Sequence, residues 1–191
     1  DIHGGGSDLI FPHHENESAQ SICSHSSKSF SNHWVHHAMV DFKNTKMSKS
    51  EGNLLLIRDL LSITSGEVIR MALLSSHYRK PMNWTDNLII DSRKKLDRLY
   101  GALRSIHSFS EVEPSSAVLD ALRDDLNTPK ALSELFSITK SINSTEDEAD
   151  RQKMGSILQA SASLLGLLSN DAEEWFKTSI TETISSEQID Q

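Results

Sequence analysis

The feature that most restricts what this chain can become is a change of apolar rhythm near residue 57. Beyond it, Ile57, Leu60, Leu61 and Ile63, then Val68, Ile69, Ala72 and Leu73, then Leu88, Ile89, Leu96, Leu99, Leu103 and Ile106 recur at three- and four-residue intervals. That spacing places side chains on one face of an α-helix. Before it, short apolar runs alternate with glycines and polar turns, the pattern of strands and helices in alternation. The rhythm predicts an α/β segment over residues 1–56 and an almost wholly helical one over 57–176.

Local punctuation sharpens the expectation. Asp1, Ile2 and His3 end a short strand at Gly4–Gly6, and Pro12 precedes a helix from about His13 to Ser24. A second strand is expected over Trp34–Val40, and a polar, mobile loop with Lys43, Lys46 and Lys49 over Asp41–Asn53. Thr85 is placed to cap the long helix, with Asp86 in its first turn. Thr128 is placed to cap another, with Pro129 at the first helical position. A further helix spans roughly Asp147–Leu165 and stops near Gly166, and a polar tail runs from Thr178 to Gln191.

Composition excludes several classes. The 191 residues contain no apolar run near the roughly 20 that a membrane helix needs. The lone Cys23 permits neither an internal disulfide nor a thiolate cage, so a reducing, cytoplasmic setting is expected. The net charge of -8 hides a division: residues 61–110 carry eight bases and four acids, residues 111–191 six and sixteen. The basic stretch holds Arg70, Arg79, Lys80, Arg93, Lys94, Lys95, Arg98 and Arg104. It suits phosphates or is a solvated helix face. Seven of nine histidines precede residue 38, and the chain begins at Asp1 with dense chemistry, so a piece of a longer protein is expected.

Three segments carry chemistry. The run Asp1-Ile2-His3-Gly4-Gly5-Gly6-Ser7-Asp8 is either a close backbone approach to a nucleotide or a flexible turn. In Pro12-His13-His14-Glu15-Asn16-Glu17, a helix would set His13 and Glu17 four apart on one face, as half a metal site or a surface hydrogen bond. Lys46-Met47-Ser48-Lys49-Ser50 sets two lysines three apart with hydroxyls beside them, able to hold a triphosphate and neutralise departing pyrophosphate.

This last string is the KMSKS signature of class I aminoacyl-tRNA synthetases. Together with DIHGGGSDLIFPHHENESAQ at 1–20, SHYRKPMNW at 76–84 and DALRDDLNTPKAL at 120–132, it makes the chain resemble the cysteinyl-tRNA synthetase family. HHENE is the most discriminating element. The resemblance implies an α/β plus all-α architecture: the C-terminal half of a Rossmann-like catalytic domain followed by a helical bundle. It implies residues 1–60 as catalytic with the KMSKS loop, 61–84 as a connecting segment, 85–177 as a tRNA-binding bundle and 178–191 as a truncated tail. It further implies ATP with Mg2+, L-cysteine and tRNA(Cys) as substrates, one Zn2+, no membrane, and a monomer.

By the same resemblance Lys46 and Lys49 are catalytic. They bind ATP together with Ser48, Asp8, Gly5 and Gly6, and His3 and Asp8 line the amino-acid site. His13 and Glu17 ligate zinc, with two cysteines lying upstream of Asp1, and Cys23 matches neither. Arg79, Lys80, Arg93 and Lys94 face tRNA. The HIGH-type ATP motif of the family is not in this sequence, so the chain alone is expected to be inactive. Two rivals are a cysteine:amino-sugar ligase of the same superfamily, which needs no tRNA-binding bundle, and a non-catalytic tRNA-binding helical module.

Overall fold

The computed structural model describes residues 1–25, 29–42, 45–46 and 55–177, and these fall into two compact units. One comprises Asp1–Leu55 with Ser76–Thr85, and the other Leu56–Ser75 with Asp86–Gln191. The expected connecting segment over 61–84 is thus divided between them. The apolar stripe of residues 66–74 pairs with helices, while 76–85 rejoins strands.

The first unit begins with strand β1, Ile2–Gly6, which carries the three glycines inside it rather than ending at them. A tight turn at Ser7–Leu9 and an irregular turn at Ile10–His14 lead into helix α1, Glu15–His25. The chain returns as β2, His33–His37, parallel to β1 with Ile2 opposite His33 and Gly6 opposite His37. The second strand expected over Trp34–Val40 is in fact two. Residues 38 and 39 break it, and Val40–Phe42 forms β3 in a separate sheet. There β3 pairs antiparallel with β4, Thr45–Lys46, and parallel with a strand at Met82–Trp84.

The second unit opens with α2, Ile57–Leu60, and α3, Gly66–Leu74. The strand of the first unit at Met82–Trp84, here β5, then interrupts the segment expected to be almost wholly helical. Its signal was present: Met82 and Trp84 are buried around an exposed Asn83, the two-residue alternation of a strand. Three residues were too few to register against the helical stripes on either side. Helices α4, Asp86–Leu103, α5, Ser116–Arg123, α6, Thr128–Ser144, and α7, Glu148–Ser163, complete the bundle, followed by a short helix at 172–177.

Helix ends follow capping chemistry. Ser65 and Asp147 accept from backbone N–H groups three residues on. At α6 the cap is Asn127, whose side chain accepts from the Lys130 N–H at 3.3 Å. Thr128, expected to cap, is the first helical residue instead. Asparagine and threonine compete for this role, and Asn127 holds the non-helical backbone a cap requires. After α7 the backbone turns through Gly166 at φ 64, a left-handed conformation that glycine adopts without a Cβ clash.

Val68, Met71, Leu96, Leu99, Leu103, Val118, Leu135, Ile142, Leu158 and Leu167 form the bundle's core. Each such side chain contributes about 1.5–3 kcal/mol on burial. Within it lies a polar knot. Glu67, only 8 % exposed, accepts from the Tyr100 hydroxyl at 2.8 Å, the Leu168 N–H at 2.5 Å and the Asn170 amide at 3.0 Å. These bonds tie α3 and α4 to the turn after α7. They also hold Leu168 at φ 58, a backbone conformation that costs a side-chain-bearing residue about 1–2 kcal/mol. Tyr100 stacks on Trp175 with ring centroids 4.5 Å apart.

Burial pushes the Tyr100 hydroxyl up to about 12, reinforced by the Glu67 carboxylate and opposed by bonds from Asn170. A tyrosine that holds its proton more tightly folded than unfolded stabilises fully below the ordinary value of 10.0, and that contribution fades as pH rises toward 12. Stability should therefore fall between about pH 10 and about pH 12 by on the order of 2 kcal/mol more in the native chain than in Tyr100→Phe. Urea-unfolding midpoints of both proteins across that range measure the difference. Parallel curves would remove Tyr100 as the cause.

Candidate functional site

The first unit gathers its polar side chains on one face of the β1–β2 pair. Parallel register sets His3 opposite Trp34 and Gly5 opposite His36, so these two rungs share a face two residues apart. Gly5 contributes no side chain, and the imidazole of His14 fills the space: a Cβ on Gly5 would lie 2.9 Å from His14 Cε1. The glycine run thus has a packing role here, alongside the nucleotide role expected of Gly5 and Gly6. Gly6 is buried, and a Cβ there would collide with the carboxylate of Asp8, itself exposed.

His14 is 5 % exposed, and its Nδ1 lies 2.9 Å from His36 Nε2. His3 meets it edge-on, ring centroids 4.7 Å apart, and His3 Nε2 lies 3.2 Å from Glu17 Oε2. One ligand atom each from His3, His14 and Glu17 fall within 4.8 Å of one another. Trp34 packs against this group, its centroid 5.0 Å from His3 and 5.5 Å from His14. Burial holds His14 below the ordinary imidazole range, helped by repulsion from His3, His36 and His13 and opposed by Glu17. A neutral imidazole is the form that binds metal. Two imidazoles and a carboxylate form a donor set that zinc accepts.

The structure therefore brings Glu17 together with His14 and His3, while His13, expected as its partner, is exposed and stands outside the cluster. His13 and His14 both lie in the irregular turn ahead of α1, and of the two it is His14 that is buried, against His3 and His36. A doublet of histidines offers two candidates to one carboxylate, and only the backbone path decides between them. His36 was also missed by sequence reasoning. Its sole signal was its place among the clustered histidines.

Of the lysines, Lys46 lies in β4 opposite Asp41, and Ser48 and Lys49 lie outside the described residues. The loop expected over Asp41–Asn53 lies largely outside them as well. Arg79 and Lys80 are exposed between α3 and β5, with the Arg79 guanidinium 4.9 Å above the Tyr78 ring. Lys94 is exposed on α4. Arg93 is different: its guanidinium bonds Asp97 at 3.1 Å and lies 4.1 Å over the Trp175 ring, inside the bundle's own packing. The spacing of basic residues could not separate a cation that holds the fold from one that faces solvent.

Residues 1–94 match the family model described as tRNA synthetases class I (C) catalytic domain, and residues 117–169 match the DALR domain. Among curated relatives, the cysteine–tRNA ligase of Maricaulis maris is 48% identical over 179 residues, covering 92% of this chain and 39% of that protein. The cysteine–tRNA ligase of a Caulobacter species is 50% identical over 183 residues, covering 93% and 39%. The chain thus spans about 39% of the length of these relatives. Among solved structures, the LeuRS–tRNA–LeuAMS complex of Agrobacterium radiobacter aligns with a TM-score of 0.67 at 18% identity, covering 93% of this chain and 27% of that one. Methionyl-tRNA synthetase of Mycobacterium tuberculosis bound by methionyl-adenylate gives 0.60 at 19%, covering 92% and 43%. At these identities the two structures speak for the fold.

Proposed function

Because the chain belongs to the cysteine–tRNA ligase family of class I synthetases, we propose that it forms part of an enzyme that joins L-cysteine to tRNA(Cys) with ATP. The observation that carries this reading is the 50% identity over 183 residues to a relative of that name. The DALR match over residues 117–169 favours it over a ligase acting on an amino sugar, which has no use for a tRNA-binding bundle. Among the described residues no helix is long and apolar enough to cross a membrane, and a cytoplasmic enzyme is the reading adopted.

The chemistry follows in two steps. A cysteine carboxylate oxygen attacks the α-phosphorus of Mg2+-bound ATP, the bond to the bridging oxygen breaks, and pyrophosphate leaves. Lys49, with Lys46 and Ser48, neutralises charge as it gathers on the departing group. Asp8 and the Gly5–Gly6 backbone hold the adenosine, and His3 borders the amino-acid pocket. A terminal ribose hydroxyl of the tRNA then attacks the adenylate carbonyl and AMP leaves, with positioning as the main contribution. No protein nucleophile is required. Zinc, for which His13 and Glu17 are the expected ligands, would supply a soft acceptor that takes the sulfur of cysteine and rejects the hydroxyl of serine. Exposed Arg79, Lys80 and Lys94 are the cations proposed to meet tRNA phosphates, and Arg93 is left to its structural role.

The test is cysteine-dependent ATP–pyrophosphate exchange with serine as competitor, run on this chain and on the longest protein that contains it. Exchange in the longer protein with serine rejected is expected, and no exchange by the chain alone. Absence of exchange in the longer protein would sink the adenylation reading.

A further inference from the structure

We infer that His37 is a further nucleotide-binding residue, whose ring nitrogen Nε2 accepts a hydrogen bond from one ribose hydroxyl of ATP while the carboxylate of Asp8 accepts from the other. The inference deepens the proposed function and rests on it for the assignment of Asp8 to adenosine. Three observations carry it. First, the register of the parallel pair sets His37 opposite Gly6, the last residues of β2 and β1. In open parallel sheets, ligands bind outside the carboxyl ends of the strands. Alternation along each strand puts this rung on the face opposite the rungs of His3 and His36. His37 thus belongs to a different corner from the imidazoles gathered around His14.

Second, His37 and Asp8 converge on one spot. A Cβ built on Gly6 would collide with Asp8 Oδ1 and lie 3.8 Å from His37 Cε1. Both of these residues are exposed, while the glycine between them is buried. A carboxylate and a neutral imidazole nitrogen are both acceptors, and two acceptors around one point suit the adjacent hydroxyls of a ribose. Third, the acceptor nitrogen of the ring is defined. A carbonyl only accepts, so His37 Nδ1 donates to the Ala38 carbonyl at 2.9 Å, and in the neutral ring the lone pair falls to Nε2. Among the described residues Nε2 has no hydrogen-bond partner. The anchor is itself held: the Ala38 N–H donates to the Tyr78 carbonyl at 2.8 Å, and the Met82 N–H to the Met39 carbonyl at 3.0 Å.

Equilibrium binding of ATP, 2′-deoxy-ATP and 3′-deoxy-ATP, measured by calorimetry on the longest protein that contains this chain, tests the assignment. In the unsubstituted protein each analogue should bind about 5- to 10-fold more weakly than ATP. His37→Asn should bind ATP about 5- to 10-fold more weakly and should abolish the penalty for one analogue, leaving the other, which belongs to Asp8. Asparagine sets its amide near the position of Nδ1, so it keeps a donor for Ala38 and loses the acceptor at Nε2. His37→Gln, whose amide reaches the Nε2 position, should recover part of the ATP affinity. The KM for cysteine should stay within about twofold in both variants. Far-UV circular dichroism confirms that each is folded. Persistence of both analogue penalties in His37→Asn would give His37 a structural role and overturn the inference, as would undiminished ATP affinity in that variant or failure of the unsubstituted protein to bind ATP. The adenylation reading is judged separately, by exchange in the unsubstituted protein, and stands if His37 alone proves silent.

Discussion

Replacing Glu67 with alanine is expected to lower the unfolding free energy of this chain by about 3–5 kcal/mol, enough to unfold much of the bundle near body temperature. The substitution removes one carboxylate and strands two buried donors, the Tyr100 hydroxyl and the Leu168 N–H, together with the more exposed Asn170 amide. Each buried donor left without a partner costs about 1–3 kcal/mol. The left-handed backbone at Leu168 loses the bond that offsets its strain. Glutamine separates shape from chemistry. Its carbonyl can still accept from Leu168, but its amide would face the Tyr100 hydroxyl and the Asn170 amide, which both approach the same oxygen. Glu67→Gln should therefore cost roughly half as much as Glu67→Ala. Urea denaturation of the three proteins, with the m-value compared, decides the matter. A change under about 0.5 kcal/mol for alanine would mean that the knot is incidental to stability.

In the longest protein containing this chain, Lys49→Ala should reduce cysteine-dependent pyrophosphate exchange by about 10²- to 10³-fold, with the KM for cysteine nearly unchanged. A cation aimed at the departing pyrophosphate interacts with charge that exists mainly in the transition state, so its removal lowers kcat rather than amino-acid binding. Lys49→Arg should restore little, because a planar guanidinium does not reproduce a compact ammonium at a crowded phosphate. Lys46→Ala should cost less, as expected of an assisting residue. If instead KM for cysteine rises with kcat intact, the lysine belongs to substrate binding and the proposed role fails.

These two residues stand at opposite ends of what could be read in advance. Lys49 announces itself through a five-residue string whose spacing has a chemical reason, although its surroundings lie outside the described residues. Glu67 carries no signal at all. It is one acid in the first turn of a helix, a position where acids are common for dipole reasons, and its importance arises from Leu168 and Asn170 about a hundred residues away.

Periodicity and punctuation acted the same way. The stripes of Leu96, Leu99 and Leu103 identified a helix core because a helix repeats its own environment every turn, so local sequence reports burial. Strand β5 escaped because its partner β3 lies some forty residues earlier, and a three-residue strand has meaning only beside its partner.

What the sequence by itself determined is the class of architecture, the family, and the chemical types assembled near the N-terminus: imidazoles, carboxylates, glycines and a lysine pair. These depend on short-range spacing and on residue identity. Tertiary structure alone decided which histidine stands with Glu17, which basic residues are locked into packing, and which buried carboxylate fastens the bundle. Each of those outcomes turns on a backbone path or on a contact between residues far apart in the chain, which local spacing does not report.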